Sequence, residues 1–140
     1  MKNEAQIAGV IVAGQPTDEE LATLRERGVT TLVNLRPAAE LAEPEAPKVE
    51  PGVTYVDVPF DGRTIARRHV DQVRSALDAA PGTVAVHCAG GTRAAVMVGI
   101  IAAERAGDGE AGALRRITEA GFDVEGTPYA AFVSDYFASA

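Results

Sequence analysis

One cysteine is all that this chain of 140 residues contains, and with two histidines it offers few soft metal ligands. A single thiol excludes an internal disulfide, so Cys88 is free, buried or reactive. Its neighbour His87 points to the opposite face if both lie on a strand, so no metal site is expected, and no cofactor. Basic residues are also short: 13 Lys and Arg stand against 20 Asp and Glu, for a formal charge of −7. That deficit excludes nucleic acid as a general partner, since such binding rests on neutralising phosphates, and it disfavours anionic membrane surfaces. A small anion can still bind where donors are focused in one pocket. No apolar run approaches the roughly 18 residues that a membrane span needs, and no signal-peptide layout opens the chain; a cytoplasmic protein is expected. Internal repeats and low-complexity segments are lacking too. What remains is a 46% apolar chain of a length that fits one domain, 1–140, able to bury roughly two-thirds of its unfolded surface.

In order, 7–13 reads as a first strand stopped by Gly14-Gln15-Pro16. Thr17 and Glu20 have capping-box spacing, Leu21 and Leu24 form the apolar stripe of a helix, and Gly28 ends it. Val29–Leu35 is a β-branched strand, which makes a βαβ unit with parallel strands. From 36 to 52, Pro37, Pro44, Pro47 and Pro51 break any long helix, and a solvated surface loop is expected. Residues 53–58 form a third strand, stopped by Pro59. Val70, Val73 and Leu77 have helical spacing, ended before Pro81-Gly82. The strand Thr83–His87 follows, then an apolar helix from about residue 92, which its composition makes buried on several sides. An amphipathic helix with Leu114 and Ile117 ends at Gly121. A last helix from Pro128, rich in Tyr and Phe, is expected to pack on the sheet. The fold class is α/β: a small, mostly parallel sheet of four to five strands with helices on both faces.

Chemistry concentrates between His87 and Arg93. Cys88 ends a strand, Gly90 and Gly91 permit a nest of inward N–H groups, and the first turn of the next helix favours both a thiolate and an anion above it. Arg93 can grip two anion oxygens at once. In a parallel sheet, ligands sit outside the carboxyl ends of the strands. Arg36, Asp61 and Cys88 each follow such an end and should converge there. The candidate set is Cys88 as nucleophile, the Ala89, Gly90, Gly91 and Thr92 loop with Arg93 and Arg36 for anion binding, and His87 as a buried residue orienting the loop. Asp61 has two readings of about equal weight, a general acid for the leaving group and a turn residue before Gly62. Asp57 is a weaker competitor, Arg36 and Arg63 are more often solvated charges, and His69 reads as a surface residue at a helix start.

With these residues in hand, the chain resembles the dual-specificity branch of the protein tyrosine phosphatases, and within it the small bacterial DUF442, or β-lactamase-hydrolase-like phosphatase, group. The resemblance covers about residues 7–122. It rests on Gly14-Gln15-Pro16, Thr31-Leu32-Val33-Asn34-Leu35-Arg36-Pro37, Val58-Pro59-Phe60-Asp61-Gly62, His87-Cys88 and Gly91-Thr92-Arg93. It implies a nucleophile at Cys88, phosphate binding at Arg93 and the loop amides, a general acid at Asp61, and two-step hydrolysis of a phosphomonoester through a phosphocysteine. The partner would be a phosphorylated small molecule or a phosphoprotein. One feature departs: four residues, Ala89 to Thr92, separate cysteine from arginine, where phosphatases of this class have five. That length resembles rhodaneses, which implies sulfur transfer through a Cys88 persulfide, with a sulfur donor and acceptor as partners. Ala94 also stands where phosphatases often carry a hydroxyl residue. A non-catalytic anion-binding domain is the third reading.

Overall fold

The computed structural model describes residues 1–139. Its centre is a five-stranded sheet in the order β1-β2-β5-β3-β4: β1 (Ala5–Ile7), β2 (Val10–Ala13), β3 (Val29–Asn34), β4 (Thr54–Asp57) and β5 (Thr83–His87). β2, β5, β3 and β4 are parallel neighbours, and only β1 runs antiparallel, along the edge. The single strand expected over 7–13 is therefore a hairpin. Ala8 and Gly9 both take positive φ, 50° and 82°, the conformation of a tight two-residue hairpin turn, so Ile7 pairs back onto Val10.

The period-two alternation assigns side chains to faces. Ile11, Ala85 and Leu32 lie side by side across β2, β5 and β3, and they join Leu21, Leu24 and Val29 in a buried cluster. Leu21 belongs to helix α1 (Asp18–Ala22) and Leu24 to the 3₁₀ turn after it. The neighbouring row, Val12, Val86 and Val33, faces the larger cluster under the remaining helices. These are α2 (Arg67–Ala79), α3 (Thr92–Ala106), α4 (Gly109–Glu119) and α5 (Pro128–Ala138). Helices thus cover both faces.

The capping box before α1 forms as the sequence predicts: the Thr17 hydroxyl accepts from Glu20 N at 3.1 Å and Thr17 N donates to Glu20 at 2.9 Å. α3 is buried from Arg93 through Ala103. Because α3 already fills this face of the sheet, α5 packs against α3 and α4 rather than on the sheet as expected. His69 also departs from its reading. It is buried, its ring stacks on Phe60 at 4.9 Å between centroids, and its Nδ1 accepts from Ala66 N at 3.0 Å. Burial, reinforced by Arg68, pulls its pKa down. Among the described residues no helix is long and apolar enough to cross a membrane.

Candidate active site

Parallel register carries three strand ends to one edge. Cys88 N donates to the Ala13 carbonyl, Leu35 N to the His87 carbonyl at 2.9 Å, and Phe60 N to the Leu35 carbonyl at 3.1 Å. The loop 88–93 therefore lies between the segment after β2 and the segments after β3 and β4. It is fixed from outside. Gln15 N donates to the Ala89 carbonyl and Asn3 Nδ2 to the Gly90 carbonyl, each at 3.0 Å. A peptide plane holds its N–H opposite its C=O, so two carbonyls tied outward turn the N–H groups of Gly90 and Gly91 inward. Gly91 N accordingly donates to Cys88 Sγ at 3.1 Å.

The two glycines are not equivalent. Gly91 has φ 103°, and a Cβ there would lie 2.7 Å from the Phe122 ring. Gly90 has no left-handed φ and meets nothing within 4 Å where a Cβ would stand; the expectation that both supply special dihedrals is corrected to Gly91 alone. Gly14, beside the loop, also admits no side chain, since a Cβ would lie 2.8 Å from the Ala89 carbonyl. Thr92, half-buried, lines a surface cleft with Asn3, Gly90 and Phe122.

The segment after β3, expected to be a solvated loop, is a strap that clamps both ends of this loop. Glu45 is 4% exposed. It accepts from His87 Nε2 at 2.7 Å, Gln15 Nε2 at 2.6 Å and the Tyr55 hydroxyl at 3.0 Å. Burial pushes its carboxyl up, but His87, then Gln15 and Tyr55, outweigh that and hold it below its ordinary value. His87, buried as expected, has Nδ1 3.3 Å from the Cys88 carbonyl. At the other end, Arg93 donates from both Nη atoms to Glu40, at 3.1 and 2.9 Å, and from Nη1 to the Phe60 carbonyl at 2.9 Å. Burial works against the Arg93 charge, and the Glu40 bond restores it above its usual value.

Arg36 is braced by the strap and by the segment after β2. Its Nη1 donates to Gln15 Oε1 at 3.0 Å, and Nε and Nη2 donate to Glu40 at 3.2 and 2.8 Å. A chain of polar contacts thus runs from His87 through Glu45, Gln15, Arg36 and Glu40 to Arg93. Clefts of about 300 and 210 Å³ flank the strap, the first lined by Asn34, Tyr55 and Asp57, the second by Gln15, Asp18 and Lys48.

Asp61 takes the turn geometry. Its Oδ1 accepts from Arg63 N at 2.8 Å, Thr64 N at 3.1 Å and the Thr64 hydroxyl at 3.3 Å, and these donors, Arg63 N foremost, hold the carboxyl low. Beside it stands Tyr129, a residue the sequence did not mark. Its hydroxyl lies 3.6 Å from where a Cβ on Gly62 would be. Burial raises its pKa first, and Arg93, Cys88, Asp61 and Glu40 all act on it through their charges. Gln15, Glu40, Glu45 and Tyr129 complete the neighbourhood. Only Gln15 lay in a stretch the sequence had singled out; the two carboxylates carry no local signal in a proline-broken acidic loop.

A parallel sheet with a Cys-loop-Arg segment at the end of its central strand and the arginine on the following helix defines a phosphatase-like domain. Residues 6–107 match the family described as "Beta-lactamase hydrolase-like protein, phosphatase-like domain", and the chain belongs to that family. It is 32% identical over 94 residues to a beta-lactamase hydrolase-like protein of Xylella fastidiosa, and 32% over 91 residues to one of Agrobacterium fabrum. These matches cover 61% and 59% of this chain but 21% of each relative, so the shared segment spans about a fifth of those proteins. Among solved structures it is similar to a DUF442 protein of Shewanella putrefaciens, with TM-score 0.82 and 21% identity over 99% of this chain and 91% of that one. Pseudomonas aeruginosa TpbA, solved with pTyr, superposes with TM-score 0.74 at 18% identity, covering 98% and 89%. The core catalytic domain of the PP-IP phosphatase SIW14 of S. cerevisiae, solved with citrate, gives 0.72 at 16% identity, covering 95% and 84%. At these identities the likeness is one of fold.

Proposed function

We propose that the chain is a cysteine-dependent phosphatase domain that hydrolyses phosphomonoesters through a phosphocysteine on Cys88. The observation that carries this reading is the Gly91 N–H donated to Cys88 Sγ at the carboxyl end of β5, with the Arg93 charge acting on that sulfur from the first turn of α3. Phosphoryl oxygens are held by the loop N–H groups and by Arg93, where charge develops in the transition state. Sγ attacks phosphorus, the P–O ester bond breaks, and the leaving oxygen takes a proton from Asp61. Water then attacks the phosphocysteine, returns a proton to Asp61 and releases inorganic phosphate with the free sulfur. His87, held by Glu45, orients the loop backbone. The pTyr complex of TpbA and the PP-IP substrate class of SIW14 support a phosphorylated substrate, protein or small molecule. Two hydrophobic clusters on one shared sheet support reading 1–140 as a single catalytic domain.

Two observations favour sulfur transfer as the second reading. The loop has four residues between Cys88 and Arg93, one amide fewer than in phosphatases of this class, and Asp61 is turned into its own turn. In that reaction Sγ takes the outer sulfur of thiosulfate, sulfite leaves, and the persulfide passes its sulfur to an acceptor such as cyanide. A paired assay decides: aryl phosphate hydrolysis against thiosulfate-to-cyanide transfer, with Cys88→Ser as control. Phosphate release that vanishes in Cys88→Ser supports the phosphatase; thiocyanate formation without phosphate release replaces it with the sulfurtransferase. Neither activity, with phosphate still bound, leaves the anion-binding domain.

A further inference from the structure

A guanidinium carries five N–H donors in one plane, and Arg93 engages three of them. Nη1 donates to Glu40 Oε2 at 3.1 Å and to the Phe60 carbonyl at 2.9 Å, and Nη2 donates to Glu40 Oε1 at 2.9 Å. The Glu40 carboxylate therefore lies end-on across the two Nη atoms. The donors without a protein partner among the described residues are Nε–H and the outer N–H of Nη2. These two project side by side from one edge of the plane, the arrangement that grips two oxygens of an oxyanion.

We propose that Glu40 is a positioning residue of the anion seat, holding the end of Arg93 so that its one remaining fork faces the ligand above Cys88. The proposal rests on the anion-seat reading of the preceding section and extends it to the strap. Three features support it. The grip is two-sided, because the Phe60 carbonyl fixes Nη1 from the segment that follows β4. Glu40 is itself braced by Arg36, whose Nε reaches Oε1 at 3.2 Å and whose Nη2 reaches the Glu40 carbonyl at 2.8 Å. Arg36 in turn is tied to Gln15, which also holds the buried Glu45. The fork is thus set by a framework rooted in the sheet, and a rigid fork loses less entropy on binding than a free arginine. The charged groups around Glu40 are Arg36 of its own strap and Arg93 of the loop, with Tyr129 of α5 nearby. Their sum keeps Glu40 ionised below the usual carboxylate range, Arg93 contributing most.

The test is calorimetric titration of inorganic phosphate into the wild type, Glu40→Gln and Glu40→Ala, with aryl phosphate kinetics alongside. Thermal unfolding confirms that the variants fold, as a side chain 30% exposed should allow. Glu40→Ala should weaken phosphate about tenfold or more and raise KM by more than it lowers kcat. Glu40→Gln, which keeps one acceptor oxygen, should fall between. Wild-type affinity should also drop as pH falls through the depressed pKa of Glu40, a limb that Glu40→Gln lacks. Unchanged affinity in Glu40→Ala overturns the proposal. Tighter binding overturns it too, by making Glu40 a competitor for the seat. A wild type that binds no phosphate removes the anion-seat reading itself, and the Glu40 role with it.

Discussion

Two segments meet at Arg93, and they are built in opposite ways. The stretch from β5 through the Cys88 loop into α3 is apolar, buried and locally determined: β-branched strand, one obligatory left-handed glycine, then a helix with Ala and Ile on every side. The strap from Arg36 to Lys48 is proline-broken and interspersed with charged residues, with no regular element longer than a 3₁₀ turn. Yet the first segment carries the thiol, the imidazole and the guanidinium of the candidate site, and the second decides how the last two point. Hydrophobic burial places a thiol and an arginine at one edge. It cannot fix a guanidinium or an imidazole in rotation, because that takes directional partners. The strap brings those partners, Glu40 to Arg93 and Glu45 to His87.

Substitutions on the two sides can break this division. The largest effect is expected at Cys88. Cys88→Ser should lower whichever activity the paired assay detects by at least about a thousandfold, and turnover near wild type would mean that the nucleophile lies elsewhere. Next comes Gly91→Ala, which forces a Cβ onto the Phe122 ring at a left-handed φ. A loss of about 2–4 kcal/mol in denaturant unfolding is expected. On the strap, Glu45→Ala should cost about 2–3 kcal/mol, because the buried His87 and the half-buried Gln15 and Tyr55 lose their acceptor.

The sign of its pH dependence follows from the depressed carboxyl. The stabilisation is present above the ordinary glutamate pKa and is lost as pH falls through the lower folded value. The melting-temperature gap between wild type and Glu45→Gln should therefore narrow in acid; a gap independent of pH would separate Glu45 from that titration. Smaller still, Asp61→Asn should slow hydrolysis of aryl phosphates with poor leaving groups by more than those with good ones. Equal rates across the series would leave Asp61 as the cap of its own turn. Gly90→Ala should change stability by less than about 0.5 kcal/mol, and a large loss there would erase the contrast with Gly91.

By itself, the sequence determined the framework and the candidate stretch from His87 to Arg93. The β-branched runs at β3 and β5, the Thr17–Glu20 cap and the apolar helix that carries Arg93 are local signals, and each forms as read. The Cys88-to-Arg93 segment was legible because its residue types, spacing and flanking elements all lie within a few positions of one another. The 7–13 hairpin was missed because Ala8 carries no mark of a positive φ, and the burial of His69 because its partner, Phe60, sits on another element. Tertiary structure alone decided the rest. Glu45 reaches His87 from 42 residues away, and Glu40 reaches Arg93 from 53. No periodicity encodes such pairings, since a carboxylate in an irregular loop looks the same whether it faces water or a buried imidazole. The difference appears only when parallel register brings the ends of β3 and β5 side by side and leaves the intervening chain one way to satisfy its buried charges.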